Sequence, residues 1–341
     1  MRLSEYLVNE AIKPEQWEQV IVLSYNSLAL ELEYDDPELW KISQVPFSKA
    51  MLKEYKPYFE NGEYIAIELT SNGVRDDYLI HFGKGGAVLS KFWKDIHKNS
   101  VKVPKTDFYG SGKKEKISLK KAGGSQLMSG SKGETEVTFY AALKLLKAED
   151  SKFMDPLIRE IESVFVSIPP DEYEGELKAL TQKSNKALTQ KVRTFFEDNR
   201  NFRKWFVYEA MSGKVKFDNK IGAANRLLVF DPTGAIVKYH KIDARYAEFI
   251  SNQVKFRISM KSYSSKAPKY TVLRVEGNKL QDDLAELNEG INEGKIIDWV
   301  KNKINAIVNK VKELAKKGFS VLMDYLGLEV DVNVTTEGIK F

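Results

Sequence analysis

Apolar positions recur with a helical period along much of this 341-residue chain. Trp17, Val20, Ile21 and Ser24 share one face, and Pro14 with Glu15 behind it marks a helix start. A further helix is expected over 45–61, a strand over 62–70 (GEYIAIELT) and a turn at Asn72-Gly73. The apolar run YLIHF, a glycine pair at 85–86 and a helix through Lys98 follow. Towards the end, Ile296, Ile297, Val300, Ile304, Ile307, Val308, Val311 and Leu314 form an apolar stripe at helical spacing. The terminal LEVDVNVTTEGIKF alternates like a strand.

The segment 101–147 carries the most specific pattern. Pro104 to Tyr109 reads as a strand entering a turn at Gly110-Ser111-Gly112, and Lys116 to Lys120 alternates as a half-buried strand does. A Gly/Ser-rich loop is expected from Gly123 to Gly133. Ser131 and Glu134 have the spacing of a capping box, which predicts a helix through about Leu146. Residues 151–205 read as helical with a break at Pro169-Pro170. Between 205 and 276 the elements are a helix (WFVYEAM), a strand (RLLVF), a turn at Asp231-Pro232-Thr233-Gly234 and a strand at 254–262. The expected organisation is an α/β domain over 1–150, a helical linker over 151–204, a second mixed α/β segment over 205–276, and a helical region over 277–341 ending in a strand.

Composition narrows the chemistry. Hydrophobic residues are 43% and charged residues 30%, enough apolar surface to build a core. There is no cysteine, which excludes disulfides, thiol catalysis and Cys-ligated metals. His81, His97 and His240 lie far apart and show no metal-ligand spacing, so metal chemistry would rest on carboxylates and favour magnesium or manganese. The net charge of +5 permits a nucleic-acid partner. No run of eighteen apolar residues and no apolar leader core is present, so neither a membrane span nor secretion is expected.

Cleavage of a phosphodiester with a metal needs carboxylates to hold the cation and a lysine to orient water or stabilise charge. Asp107 and Lys120 lie on two strand-like segments joined by a glycine turn, and Ser118 and Lys120 point to one face. Glu18 on the first helix offers a second carboxylate. This arrangement resembles the PD-(D/E)XK nuclease superfamily, which includes restriction enzymes and Holliday-junction resolvases. The matching residues are Glu18, Asp107 and Ser118-Leu119-Lys120 over roughly the first 150 residues. The resemblance implies a restriction-endonuclease-like core and a metal held by Asp107, a second acid (Glu18) and the carbonyl near Leu119. It implies a water oriented by Lys120, and a polar residue at Gln126. Ser118 stands where the family has an acid, so Glu18, Glu134 or Glu136 would have to compensate.

The order Glu…Asp…Ser-X-Lys recurs as Glu209, Asp231, Ser259 and Lys261, and KISLKK at 116–121 echoes RISMKS at 257–262. This is a second candidate set, and would reflect duplication if its strands matched those at 60–121. Lys113, Lys114, Lys116, Lys120 and Lys121, with Phe108 and Tyr109, suit a nucleic-acid backbone. Plainer roles exist for most of these residues: Asp107 and Asp231 in turns, Glu134 in a cap, Lys120 and Lys121 guarding a strand edge. The first eleven residues, MRLSEYLVNEA, are similar to the capsid-targeting leaders of internal head proteins of tailed phages, with Glu10–Ala11 as the corresponding cleaved bond. The expected activity is a magnesium- or manganese-dependent DNA endonuclease of phage origin, located in the host cytoplasm or virion interior. The alternatives are a non-catalytic DNA-binding or virion structural protein on the same fold, and an assembly protein using the 296–315 helix to meet a virion partner or a second copy.

Overall fold

A computed structural model describes residues 12–83, 85–98, 102–148, 150–232, 237–277 and 280, with the backbone of 333–335 and 338–340. The leader-like segment expected at 1–11 and the helix expected at 296–315 lie outside the described residues. Two compact units are distinguished: residues up to 68 with 75–283, and 69–74 with 284–341. In the second unit the described parts are a turn, in which Val74 N–H donates to Leu69 O at 3.1 Å, and a short antiparallel hairpin, Asn333–Thr335 with Gly338–Lys340.

The first unit is mixed α/β. It opens with α1 (Pro14–Leu30), α2 (Pro37–Ser43), α3 (Lys49–Tyr55) and α4 (Phe59–Ser71), followed by β1 (Leu79–His81) and α5 (Lys91–Ile96). Then come β2 (Phe108–Gly110), β3 (Lys116–Lys121), β4 (Ser125–Gly130), α6 (Lys132–Leu146) and α7 (Asp155–Val164). After β5 (Ser167–Ile168) follow α8 (Gly175–Asp198), α9 (Arg200–Ser212) and α10 (Lys214–Phe217). The last elements of this unit are β6 (Arg226–Phe230), β7 (Val237–Lys241), α11 (Ala244–Ser251), β8 (Val254–Lys261) and β9 (Lys269–Gly277).

Two sheets organise these elements. The five-stranded sheet runs β1-β2-β3-β6-β7, antiparallel throughout except that β3 and β6 are parallel, with Leu119 opposite Leu228. The second sheet centres on β9, which pairs with β4, β5 and β8, all antiparallel. A parallel pair needs a long crossover, and here the crossover is the whole of 122–225.

Pro14 does open α1, and Trp17, Val20 and Ile21 are buried on it. Residues 62–70 are helical rather than extended. The β-rich composition of GEYIAIELT conceals a stripe at Phe59, Gly62, Ile65 and Ala66, all buried, which is a helical period. Gly62 permits close packing on α1: a Cβ there would lie 2.4 Å from Ser24 Oγ and 2.9 Å from Val20 Cγ1. The expected loop at 123–133 contains β4, whose Leu127 and Met128 are buried. Residues 151–204 are core rather than linker. Phe196 on α8 stacks on Phe256 of β8 at 4.2 Å, and Phe139, Phe202 and Phe206 close around it. Nor does a boundary fall at 150, because β6 and β7 complete the sheet begun by β1–β3.

α1 and β1 are locked together by one buried side chain. Asn26 Nδ2 donates to Leu79 O at 2.8 Å while Leu79 N–H donates to Asn26 Oδ1 at 2.7 Å, so the amide pairs with β1 as a neighbouring strand would. Asn26 Nδ2 also donates to Ser43 Oγ at 2.8 Å. At the other end of the sheet Glu115 bridges strands, with Arg226 Nε 2.8 Å away and Tyr239 Oη donating to it at 2.7 Å.

Candidate functional site

The geometry begins with a strand that ends early. β2 starts at Phe108, so the N–H of Leu119 on β3 has no ladder partner beyond it. The Asp107 carboxylate fills that place: Leu119 N–H donates to Oδ2 at 2.5 Å, and Ser118 Oγ donates to the same oxygen at 3.3 Å. The Asp107 backbone is fixed on both sides, its N–H donating to Ile117 O at 2.8 Å and its carbonyl accepting from Phe82 N–H at 3.0 Å. Asp107 therefore completes the ladder and presents a charge at the strand end.

Lys120 folds back over this corner. Its ammonium donates to Ser118 Oγ at 2.9 Å and to Leu119 O at 2.8 Å, and lies 3.8 Å from Asp107 Oδ2. Ser118 is 1% exposed, so the hydroxyl sits beneath the Asp107–Lys120 pair and not in solvent.

α1 brings Glu18 to the same corner. Glu18 Oε2 and His81 Nε2 are 3.2 Å apart, with side-chain exposures of 16% and 5%. Burial pushes the Glu18 carboxyl above its ordinary value; the His81 hydrogen bond opposes this, and the nearby Asp107 charge adds to it. Lys120 pulls it down. Four segments of the chain thus meet electrostatically at one place: α1, β1, the start of β2, and β3. His81 escapes a search for histidine spacing because its partner is a carboxylate on a helix rather than another histidine. Its sequence signal is its place at the end of the YLIHF strand, two residues beyond the Asn26 clamp.

The other selected residues separate. Gln126 is exposed on β4 opposite Glu276 of β9, with no hydrogen bond to Asp107, Ser118 or Lys120. Lys113 and Lys114 are exposed in the β2–β3 turn, at the opposite end of β3 from Lys120 and Lys121. Lys116 is spent on backbone, donating to Asn219 O at 2.6 Å. The basic cluster is therefore divided along the strand. Glu136 senses Glu162, Lys132 and His97 rather than the Asp107 corner.

Glu134 makes no capping box, since Ser131 has no side-chain cap bond; its carboxylate is paired with the buried ammonium of Lys216. Glu209 lies behind, fully buried, accepting from Val215 N–H and Lys216 N–H at 2.9 Å each. Burial pushes its carboxyl up to about 7. Lys105, donating to Leu127 O at 2.8 Å, is held down to about 7 by burial and by the charges of Lys216 and Lys120. This charged core, which sequence reasoning missed apart from its acids, backs the Lys120 side of the corner.

Asp231, Ser259 and Lys261 do not join Glu209. Asp231 follows β6 in the five-stranded sheet, whereas Ser259 and Lys261 lie on β8 in the other sheet. Thr233 and Gly234 of the expected turn lie outside the described residues. The strand orders differ, so the echo between KISLKK and RISMKS does not reflect a repeated fold.

Magnesium is commonly held by one or two carboxylates, water and substrate phosphate. Asp107, Glu18 and the Leu119 carbonyl suit that role, and Ser118 adds only a hydroxyl. Among the described residues no three histidine or acidic side chains gather into a metal cluster, so a cation at this corner would lean on substrate oxygens. No helix among the described residues is long and apolar enough to cross a membrane. Comparison of the chain with protein-family models, with curated proteins and with solved structures returned no match in any of the three.

Proposed function

We propose that this chain is a magnesium- or manganese-dependent DNA endonuclease whose site is Glu18, His81, Asp107, Ser118 and Lys120. The observation that carries this reading is the meeting of Asp107 and Lys120 at 3.8 Å with Glu18 close enough to feel both charges. The mixed sheet around them, with α1 ahead of it and β3 parallel to β6, is consistent with a restriction-endonuclease-like core. Asp107, Glu18 and the Leu119 carbonyl would hold the cation, which when bound supplies Lewis acidity and an acidified water. Leu119 N–H keeps the Asp107 carboxylate aimed, and His81 fixes the rotamer of Glu18. Lys120 orients the attacking water and stabilises charge on the phosphate oxygens.

One observation favours a second reading, a non-catalytic DNA-binding protein on the same fold. The Lys120 ammonium already uses the Ser118 and Leu119 oxygens and lies 3.8 Å from Asp107, so it occupies oxygens that a metal ion would need, and Ser118 offers no acid in compensation. Nicking of supercoiled plasmid separates the two. Wild type should nick with magnesium or manganese, and Asp107→Ala and Lys120→Ala should lose at least a hundredfold in rate while melting cooperatively. Failure of the wild type on plasmid, single-stranded and branched DNA with either metal would remove the enzymatic reading.

A further inference from the structure

The β8–β9 hairpin has the chemistry of a strand-binding surface, far along the chain from the Asp107 corner. Between Phe249 and Val275 there are six basic residues, Lys255, Arg257, Lys261, Lys266, Lys269 and Arg274, and no acidic one. Lys255, Arg257, Ser259 and Lys261 alternate on β8, so they share one face of the sheet. On that face Arg257 stands directly opposite Arg274. Like charges in a cross-strand pair are destabilising. Glu276 offsets part of this through a 2.8 Å pair with Arg257. Arg274 Nε and Ser259 Oγ are nonetheless buried atoms with no hydrogen-bond partner. These two atoms lie beneath the surface, and the accessible charge of the face is carried by Lys255 and Arg257, both exposed.

Aromatic rings stand at the end of this basic face. Tyr263 is 74% exposed, its ring 5.1 Å from that of Tyr270, and the Lys261 ammonium lies 5.8 Å from its centroid. The turn that presents it is internally bonded: Ser262 Oγ donates to the carbonyls of Ser264 and Ala267, and Ala267 N–H donates to Ser264 O at 3.2 Å. An exposed tyrosine held on a closed turn, with cations along the strand leading to it, matches the combination that binds single strands: phosphates along a basic track and a base stacked on a ring.

We propose that the outer face of β8–β9 is a single-stranded nucleic-acid platform on which Tyr263 stacks a base and Arg257, Arg274 and Lys261 meet successive phosphates. The proposal is independent of whether the Asp107 corner cleaves. The test is fluorescence anisotropy of a labelled oligothymidylate of about 20 nucleotides, longer than the roughly 4–16 nucleotides of one site. EDTA is present throughout so that cleavage cannot intervene. Wild type should prefer the single strand to a duplex of the same length. Tyr263→Ala should weaken binding about tenfold, as expected for one lost stack, and Tyr263→Trp should retain it. Lys261→Ala should lower the slope of log K against log salt by about 0.7. Unchanged binding by Tyr263→Ala would overturn the proposal. So would a wild type that ignores the oligonucleotide and binds polyglutamate or anionic phosphatidylserine vesicles instead.

Discussion

Replacing Asn26 by alanine tests whether the α1–β1 clamp holds the corner together. The substitution removes three hydrogen bonds from a side chain that is completely buried. It leaves the N–H and C=O of Leu79 without partners in a site water does not reach. Each such backbone group costs ~1–3 kcal/mol, so the pair costs about 4 kcal/mol. That is a large part of the ~5–15 kcal/mol that stabilises a typical protein. Urea unfolding followed by tryptophan fluorescence reads the effect directly. With a slope of about 2 kcal/mol per molar, the midpoint should fall by about 2 M at unchanged slope. Asn26→Asp keeps an acceptor for Leu79 N–H and should fall in between. Because β1 carries His81, plasmid nicking should also decline at temperatures where the variant is still folded. A loss below about 1 kcal/mol would refute the reasoning, since it would mean that the Leu79 groups find other partners at little cost.

Further outcomes follow from the buried charges. Glu209 has its carboxyl raised to about 7, so the folded chain holds an extra proton between about 4.5 and 7 and loses stability as pH rises through that window. Lys105 is lowered to about 7, so the unfolded chain holds the extra proton above 7 and stability climbs again towards the ordinary lysine value of 10.5. Urea midpoints at acid, neutral and alkaline pH should thus show a minimum near neutrality; Glu209→Gln should erase the acid limb and Lys105→Met the alkaline one. Lys216→Met removes the buried ammonium that pairs with Glu134 and should cost about 3–5 kcal/mol, while the double variant with Glu134→Leu recovers most of it in thermal melts. Phe196→Ala should cost about 3–5 kcal/mol, measured the same way, if α8 and β8 share a core. Ser118→Asp restores an acid beside Lys120 and should lower the magnesium concentration for half-maximal nicking at least tenfold; no change would count against Asp107 and Leu119 as neighbours of the cation.

Much of the local structure was legible. Pro14 opens a helix, RLLVF is β6, and KISLKK is β3 from its first residue to its last. These are short-range patterns that tertiary contacts reinforce. The mistakes have physical causes. The residues Ile65, Ala66 and Ile67 suit a strand by composition, but burial follows their helical period. Ser131 and Glu134 have the capping spacing, yet the Ser131 side chain makes no cap bond and the Glu134 carboxylate pairs with the buried ammonium of Lys216, 82 residues away. Spacing alone brought Asp107 and Lys120 together because a hairpin is local. It could not reveal His81 or Lys105, whose partners lie on other elements, nor that β6 would be the next strand.

The parallel pairing of β3 with β6 has a consequence for how the protein is made. Leu119 must wait for Leu228, so at 5–20 residues per second the strand bearing Lys120 spends about 5–20 s with one edge open. During that interval Ile117 and Leu119 sit on a bare edge able to recruit another nascent chain. Lys120 and Lys121 at its end are the residues that discourage such pairing. Ribosome-stalled chains ending before Arg226 should therefore aggregate faster when both lysines are replaced, giving Lys120 a duty during synthesis that precedes any chemistry it performs in the finished fold.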